Sequence, residues 1–405
     1  MADKKTIIED VEENDDTNKN NKEDKNKDKL KGKRKAPSKT PIAQPDFNLD
    51  SFKKDNGLNE DKAKDKPLDW IPLSDDFYKE TGLPGIPKGF LTLFRGFTNT
   101  GKSTAVYEGT IGCQKLGILP VIIDTENAWN WEHAREMGVQ FEDVLDENTG
   151  EVINYKGFFI YVNNDTLLTK YGNWNYQEAK KVKECRTEAA IEDCARYVDE
   201  LLDLQANGKL NYELCFFWDS IGTLRAFQSI ESKSNNNMWA AGALERSFMA
   251  ILNHKIPSSK KEGKKYTNTF LGVQKIRKDS VSSGKPVIVH KGGDCFFHAA
   301  RLVVHMGGIL THGTTQIYAT NNGNKFYYAT ESAIKIVKNH VNGVTWEGKM
   351  LSTAHGYVSV DNKDKYINKY RKFFLEKLNI LDENAEIKLE EDDPTDDDIR
   401  DSLVS

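Results

Sequence analysis

Residues 96 to 103 read G-F-T-N-T-G-K-S, directly after the apolar run F-L-T-L-F at 90 to 94 and at the head of a helical pattern over about 102 to 116. The spacing G-x-x-x-x-G-K-S between a strand and a helix suits a loop that wraps phosphate groups. Gly96 and Gly101 let the backbone N–H groups of Phe97, Thr98, Asn99 and Thr100 turn inward. Lys102 would meet the β and γ phosphates of a nucleotide, and Ser103 would supply a magnesium ligand. Thr104 leads into the helix, whose N-terminus adds its dipole. A second carboxylate is needed for the metal shell, and Asp219, at the end of L-C-F-F-W-D, is a natural source; its other reading is a cap on the next turn. Hydrolysis also requires a group that orients or deprotonates water. Glu126 lies two residues beyond the run L-P-V-I-I-D at 119 to 124, on the edge where ligands collect in parallel sheets. Its other reading is a surface glutamate on a loop.

The elements that must hold these residues alternate along the chain. Apolar, β-rich runs at 90 to 94, 119 to 124, 158 to 162 and 214 to 219 are separated by helical patterns at about 102 to 116, through W-E-H-A-R-E-M-G, and at about 187 to 206. Such a βαβ series predicts a parallel sheet covered by helices. A polar stretch, S-K-S-N-N-N-M-W, follows Asp219, then a helix over about 240 to 254 and the run F-L-G-V-Q-K at 270 to 275. A second irregular, Gly-, Ser- and Lys-rich segment comes next, and runs at 301 to 306, 316 to 320 and 333 to 338 extend the sheet.

Composition sets the limits of the folded part. Residues 1 to 66 carry 17 basic and 16 acidic side chains with few aromatics, too little apolar surface to offset the entropy of ordering, and are expected to be disordered. Within them K-D-K-L-K-G-K-R-K-A-P-S-K reads as a nucleic-acid arm, a targeting signal or a solvated linker. Residues 376 to 405 hold 12 acidic against 3 basic side chains, an acidic tail that either solvates the protein or mimics DNA. Against charges of +1 and −9 at the two ends, residues 67 to 375 carry about +3 of the total of −5. Five scattered cysteines without C-x-x-C spacing argue against a disulfide framework and a zinc site. With no apolar run long enough to cross a membrane and no leader-like start, a soluble, cytoplasmic protein is expected.

Several motifs in order then resemble the RecA-type DNA recombinases, and among them the phage UvsX-like branch, over roughly residues 83 to 360. G-I-P-K-G-F-L-T-L-F-R-G-F-T-N-T-G-K-S-T resembles the family's entry strand and phosphate loop, and V-I-I-D-T-E-N-A-W-N-W-E-H-A-R-E-M-G-V its catalytic-glutamate segment. F-F-W-D-S-I-G-T-L resembles the next strand and turn, and A-I-K-I-V-K-N-H the motif that reaches a neighbouring protomer's nucleotide. The resemblance implies an α/β RecA-like P-loop ATPase core, a mainly parallel twisted sheet flanked by helices, with ATP and Mg2+ as cofactors. It implies Glu126 as the base, Asp219 on magnesium, His133 where an aromatic stacks on adenine, and Lys338 acting in trans. His340 stands where bacterial members carry a second lysine. The γ-phosphate sensor falls on Gln274 or Lys275.

The resemblance also puts two DNA-holding loops at about 229 to 239 and 276 to 293. From their own residues these segments are either connectors or, with Lys233, Met238 and Trp239 in the first and Arg277, Lys278, Lys285, His290 and Lys291 in the second, a surface that tracks a phosphate backbone and stacks on bases. The expectation is a DNA-dependent ATPase that forms a helical filament on single-stranded DNA and pairs it with homologous duplex, in recombination, repair or recombination-dependent replication. Single-strand-binding and loader proteins are its expected partners, and D-F-N-L-D-S-F or L-D-W-I-P-L could bridge protomers. Two rivals remain at this point: a hexameric helicase on the same core, and an ATP-switched assembly protein that never touches DNA.

Overall fold

The computed structural model describes residues 48–57, 64–233, 237–280, 286–290, 292–308 and 313–392. The chain divides into two units, Met1–Lys62 and Ala63–Ser405. Of the first, the described part is the helix Leu49–Asp55, whose Asn48 side chain accepts from the N–H groups of Asp50 and Ser51. It is a short ordered stretch inside a segment whose composition predicts disorder; residues 1 to 47 lie outside the described residues.

The second unit is built on one twelve-stranded sheet. Its strands are β1 (Leu91–Gly96), β2 (Leu119–Asp124), β3 (Ile160–Asn163), β4 (Leu214–Ile221), β5 (Thr269–Ser280), β6 (Pro286–His290) and β7 (Leu302–Met306). β8 (Thr314–Asn321), β9 (Asn324–Asn339), β10 (Glu347–Thr353), β11 (Gly356–Ser359) and β12 (Lys388–Asp392) follow. The order is β11-β10-β9-β7-β1-β5-β4-β2-β3, with β6 on β5, β8 on β9 and β12 on β8. The six strands from β3 to β7 run parallel, and those beyond β7 are antiparallel. The parallel strands read as continuous apolar runs because both faces are covered: every residue of β2 is buried, as is each residue of β4 from Leu214 to Trp218.

The helices α1 (Thr104–Leu116), α2 (Trp131–Met137), α3 (Ile191–Ala206) and α4 (Asn237–Ala250) cover the sheet. One core layer packs Trp218 on Phe248, ring centroids 4.9 Å apart, with Phe216, Phe270 and Phe296. The other gathers Phe94, Phe217, Val304 and Phe77.

Two expectations need correction. The segment after residue 275 is not irregular where it is described: β5 continues to Ser280 and pairs with β6 from Ile276↔His290 to Ser280↔Pro286. The β-branched run V-I-V at 287 to 289 explains the pairing. The acidic composition starting at 376 likewise marks no structural boundary. Phe374, Leu375 and Leu378 are buried, and β12 pairs with β8 while Glu391 meets Lys363 at 2.8 Å. Residues 393 to 405 lie outside the described residues.

Candidate active site

The C-terminal ends of β1, β2 and β4 converge with the middle of β5, since Asp219 lies opposite Asp124 and Lys275 opposite Gly96 in the register. Two glycines make the phosphate loop possible. A Cβ at Gly96 would stand 2.0 Å from the Met306 carbonyl of β7, and Gly101, at φ +83, would put one 2.3 Å from Ser352 Oγ. The Lys102 ammonium donates to the carbonyl of Phe97, with Thr100 Oγ1 at 3.3 Å. Its burial pushes its pKa down to about 8, an effect opposed by Asp219.

Ser103 Oγ donates to Asp219 Oδ2 at 2.6 Å. Burial raises Asp219 to about 6, and the nearby carboxylate of Glu126 adds to the rise. Glu126 stands across from this pair, its Oε1 accepting from Ser220 Oγ and its Oε2 from Lys275 Nζ at 2.6 Å. A cavity of about 590 Å³ is lined by the loop from Thr98 to Thr104 with Glu126, Asp219, Lys275 and His133. Hard oxygen donors from Ser103 and Asp219 beside a phosphate cradle suit magnesium, which takes few protein ligands and completes its shell with phosphate and water. No group of three or more His, Cys, Asp or Glu that could hold a metal by itself occurs among the described residues.

Residues that carried no motif complete the site. Asp124 accepts from the backbone N–H groups of Glu126, Ala128 and Trp129 and from the Tyr161 hydroxyl, and so shapes the turn that presents Glu126. The sequence does carry that signal, an Asp at a strand end followed by a short polar turn. Trp218 Nε1 and Thr125 Oγ1, 3.0 Å apart, tie the same turn to β4. From the antiparallel half, Thr104 Oγ1 and Ser352 Oγ are 2.5 Å apart and Tyr357 donates to the Gly101 carbonyl at 2.9 Å. Buried Glu108 accepts from the N–H groups of Tyr357 and Ser74 and locks α1 to β11. Gln316, Tyr327, Thr353 and Ala354 line the same cavity. His133 meets Tyr107 edge-on at 4.8 Å, and burial lowers its pKa, leaving a neutral ring on the cavity wall.

Part of the chain is similar to bacterial RecA. The RecA protein of Psychrobacter cryohalolentis is 36% identical over 64 residues, 16% of this chain and 18% of that protein. RecA of Xanthomonas campestris pv. campestris is 36% identical over 72 residues, 17% and 21% of the two chains. RecA of Aquifex aeolicus is 38% identical over 64 residues, 16% and 19%. The match thus spans about a fifth of the length of these curated relatives. No protein-family model matches the chain.

Outside this cleft the expected residues divide. Gln274 is fully buried and does not line the cleft, donating to the Gly293 carbonyl at 3.0 Å with His290 Nδ1 at 3.4 Å, whereas Lys275 enters the cleft. Lys338 is not brought to the phosphate loop. Val303 pairs with both Lys338 and Leu93, three residues upstream of Gly96, and the Lys338 ammonium donates to the carbonyls of Phe297 and His298 at 3.0 and 2.9 Å.

The two expected DNA segments do meet. Met238, Arg277, His290 and Gly293 line a second cavity of about 580 Å³, and Met238 is 80% exposed while Trp239 packs against the core. Lys233 closes the short helix Phe227–Glu231 on the exposed side, at φ 52. The backbone of Lys278 is in β5, but its side chain, with Lys285 and Lys291, lies outside the described residues.

Proposed function

We propose that this chain is a RecA-type, DNA-dependent ATPase that polymerises on single-stranded DNA as a helical filament and exchanges it with homologous duplex, most akin to the phage UvsX-like branch. The observation that carries the reading is the strand β5. It delivers Lys275 to the phosphate cleft and, two residues on and on the same face of the strand, Arg277 to the cavity where the two expected DNA segments meet. One rigid element therefore touches both a nucleotide-type site and a basic groove.

ATP would lie with its phosphates in the loop of residues 96 to 104 and its base toward His133 and Ala354. Magnesium, held by Ser103 and Asp219, would draw charge from the phosphate oxygens. In hydrolysis the oxygen of water bonds the γ phosphorus, and the bond from that phosphorus to the β,γ-bridging oxygen breaks with its electron pair leaving on ADP. Glu126 takes the water's proton, and Lys102 faces the developing charge. Lys338, far from its own phosphate loop, would reach the nucleotide of a neighbouring protomer, as a head-to-tail filament requires. Lys233, Met238 and Arg277, with Lys278, Lys285 and Lys291, would hold the DNA strand; single-strand-binding and loader proteins are the expected partners.

Electron microscopy of the chain with single-stranded DNA, magnesium and a non-hydrolysable ATP analogue tests this reading. Open helical filaments are expected; closed rings alone would sink it in favour of a helicase. Strand exchange by Glu126→Gln gives a second measure, since that variant should bind ATP and DNA yet release DNA slowly.

A further inference from the structure

Glu126 is the group placed to take a proton from water, and each of its oxygens already accepts a hydrogen bond from this chain. Oε1 holds the Ser220 hydroxyl and Oε2 holds the Lys275 ammonium at 2.6 Å. Lys275 cannot move its backbone, which is paired with Gly96 in the centre of the sheet, but its four-carbon side chain can swing within the cleft it shares with Lys102 and Ser103. Its ammonium therefore faces two competing anions, the Glu126 carboxylate and any phosphate that enters beside Lys102. A γ-phosphate competes with the carboxylate for that ammonium, though Lys102 already faces the same phosphate, and so draws it away in only part of the ATP-bound molecules; ADP brings no such group.

We propose that Lys275 is a latch on Glu126, an ion pair that still occupies the base in much of the ATP-bound protein and frees Oε2 for water only where the γ-phosphate has drawn the ammonium away. Lys275 is on this account a positioning residue whose charge sets when the base is available. The gain from the pair is modest, because both side chains keep partial contact with solvent, 27% and 17%, and a latch of that strength can be displaced by a bound phosphate. The inference rests on the ATPase reading above and adds to it the device that limits turnover in the absence of DNA.

The test is steady-state ATP hydrolysis by the full chain without DNA, comparing wild type, Lys275→Met and Lys275→Arg. The latch predicts that Lys275→Met raises kcat about two- to fivefold with KM for ATP little changed. Lys275→Arg, which keeps the pair, should not show this rise, and Glu126→Gln in the Met background should abolish it. A Lys275→Met variant with lower or unchanged kcat, in a wild type that hydrolyses ATP with or without single-stranded DNA, overturns the latch alone; a wild type that hydrolyses no ATP even with single-stranded DNA overturns the ATPase reading and the latch with it. Where Lys275→Met does not fold, Glu126→Gln reads the pair from the other side. The freed ammonium should tighten ATP relative to ADP at least about threefold, and an unchanged ratio overturns the latch.

Discussion

Tyr357→Phe isolates one contact that shapes the phosphate loop from behind. The hydroxyl of Tyr357 donates to the Gly101 carbonyl at 2.9 Å, the residue is 2% exposed, and its ring rests against Phe77 with centroids 5.6 Å apart. Phenylalanine keeps the ring and its packing and removes only the donor. A buried hydrogen bond is worth about 0.5–1.5 kcal/mol net, and a stranded acceptor costs about 1–3 kcal/mol. Ser352 Oγ still approaches the same carbonyl, at 3.5 Å, which recovers part of the loss, so about 1–2 kcal/mol is expected. Gly101 directly precedes Lys102, and its left-handed backbone is the conformation the contact holds. The loss should therefore appear chiefly as weaker nucleotide binding, about 5- to 30-fold for that energy, with kcat changed less because Glu126 and Asp219 lie outside the loop. Titration with a fluorescent ATP analogue, alongside thermal unfolding, measures both effects. Ser352→Ala should be non-additive with it by at least about 0.5 kcal/mol, since both side chains meet one carbonyl. A fall in Tm with unaltered ATP affinity would refute the reasoning.

Two further outcomes are expected. His355 stacks on Tyr370 at 3.7 Å, and burial, with His133 and Lys369 nearby, lowers its pKa from 6.5 to about 4. Its neutral form stabilises the fold above pH 6.5, and that contribution, about 2–3 kcal/mol, is lost as the pH falls through about 4. His355→Phe should flatten Tm against pH over this window, and an unchanged slope counts against the assignment. Arg277→Ala should weaken single-stranded DNA binding and reduce its log–log salt slope by about one; an unaltered slope would remove Arg277 from the DNA surface.

The parallel half of the sheet was legible because buried parallel strands leave a direct trace, uninterrupted apolar runs that end in polar turns. Val121 to Asp124 and Phe216 to Asp219 declare themselves that way, and each run ends at the residue that matters. The phosphate loop was legible for a related reason, since its glycines answer local backbone demands. Composition gave no warning of the pairing at residues 388–392 or in the second loop. Charge counts report solubility, and they say nothing of whether a strand such as β12 finds an edge to pair with or whether V-I-V after the loop folds back on β5.

What the sequence did not mark is the second wall of the cleft. Ser352 and Tyr357 meet Gly101 across separations of 251 and 256 residues. Alternation along a strand fixes which residues share a face, but it carries no information about which strand lies alongside at that distance. Gln316 on β8, and Thr353 and Ala354 at the end of β10 and the turn after it, enter the cleft from the same antiparallel half, none of them in a catalytic motif. The phosphate chemistry is thus written locally, in residues 96 to 126 and at 219, while the surface that would meet the rest of the nucleotide comes from long-range pairing. Substitutions at 316, 353 and 354 should accordingly alter which nucleotide is preferred before they alter how fast its γ-phosphate is cleaved, because hydrolysis depends on groups held by other strands.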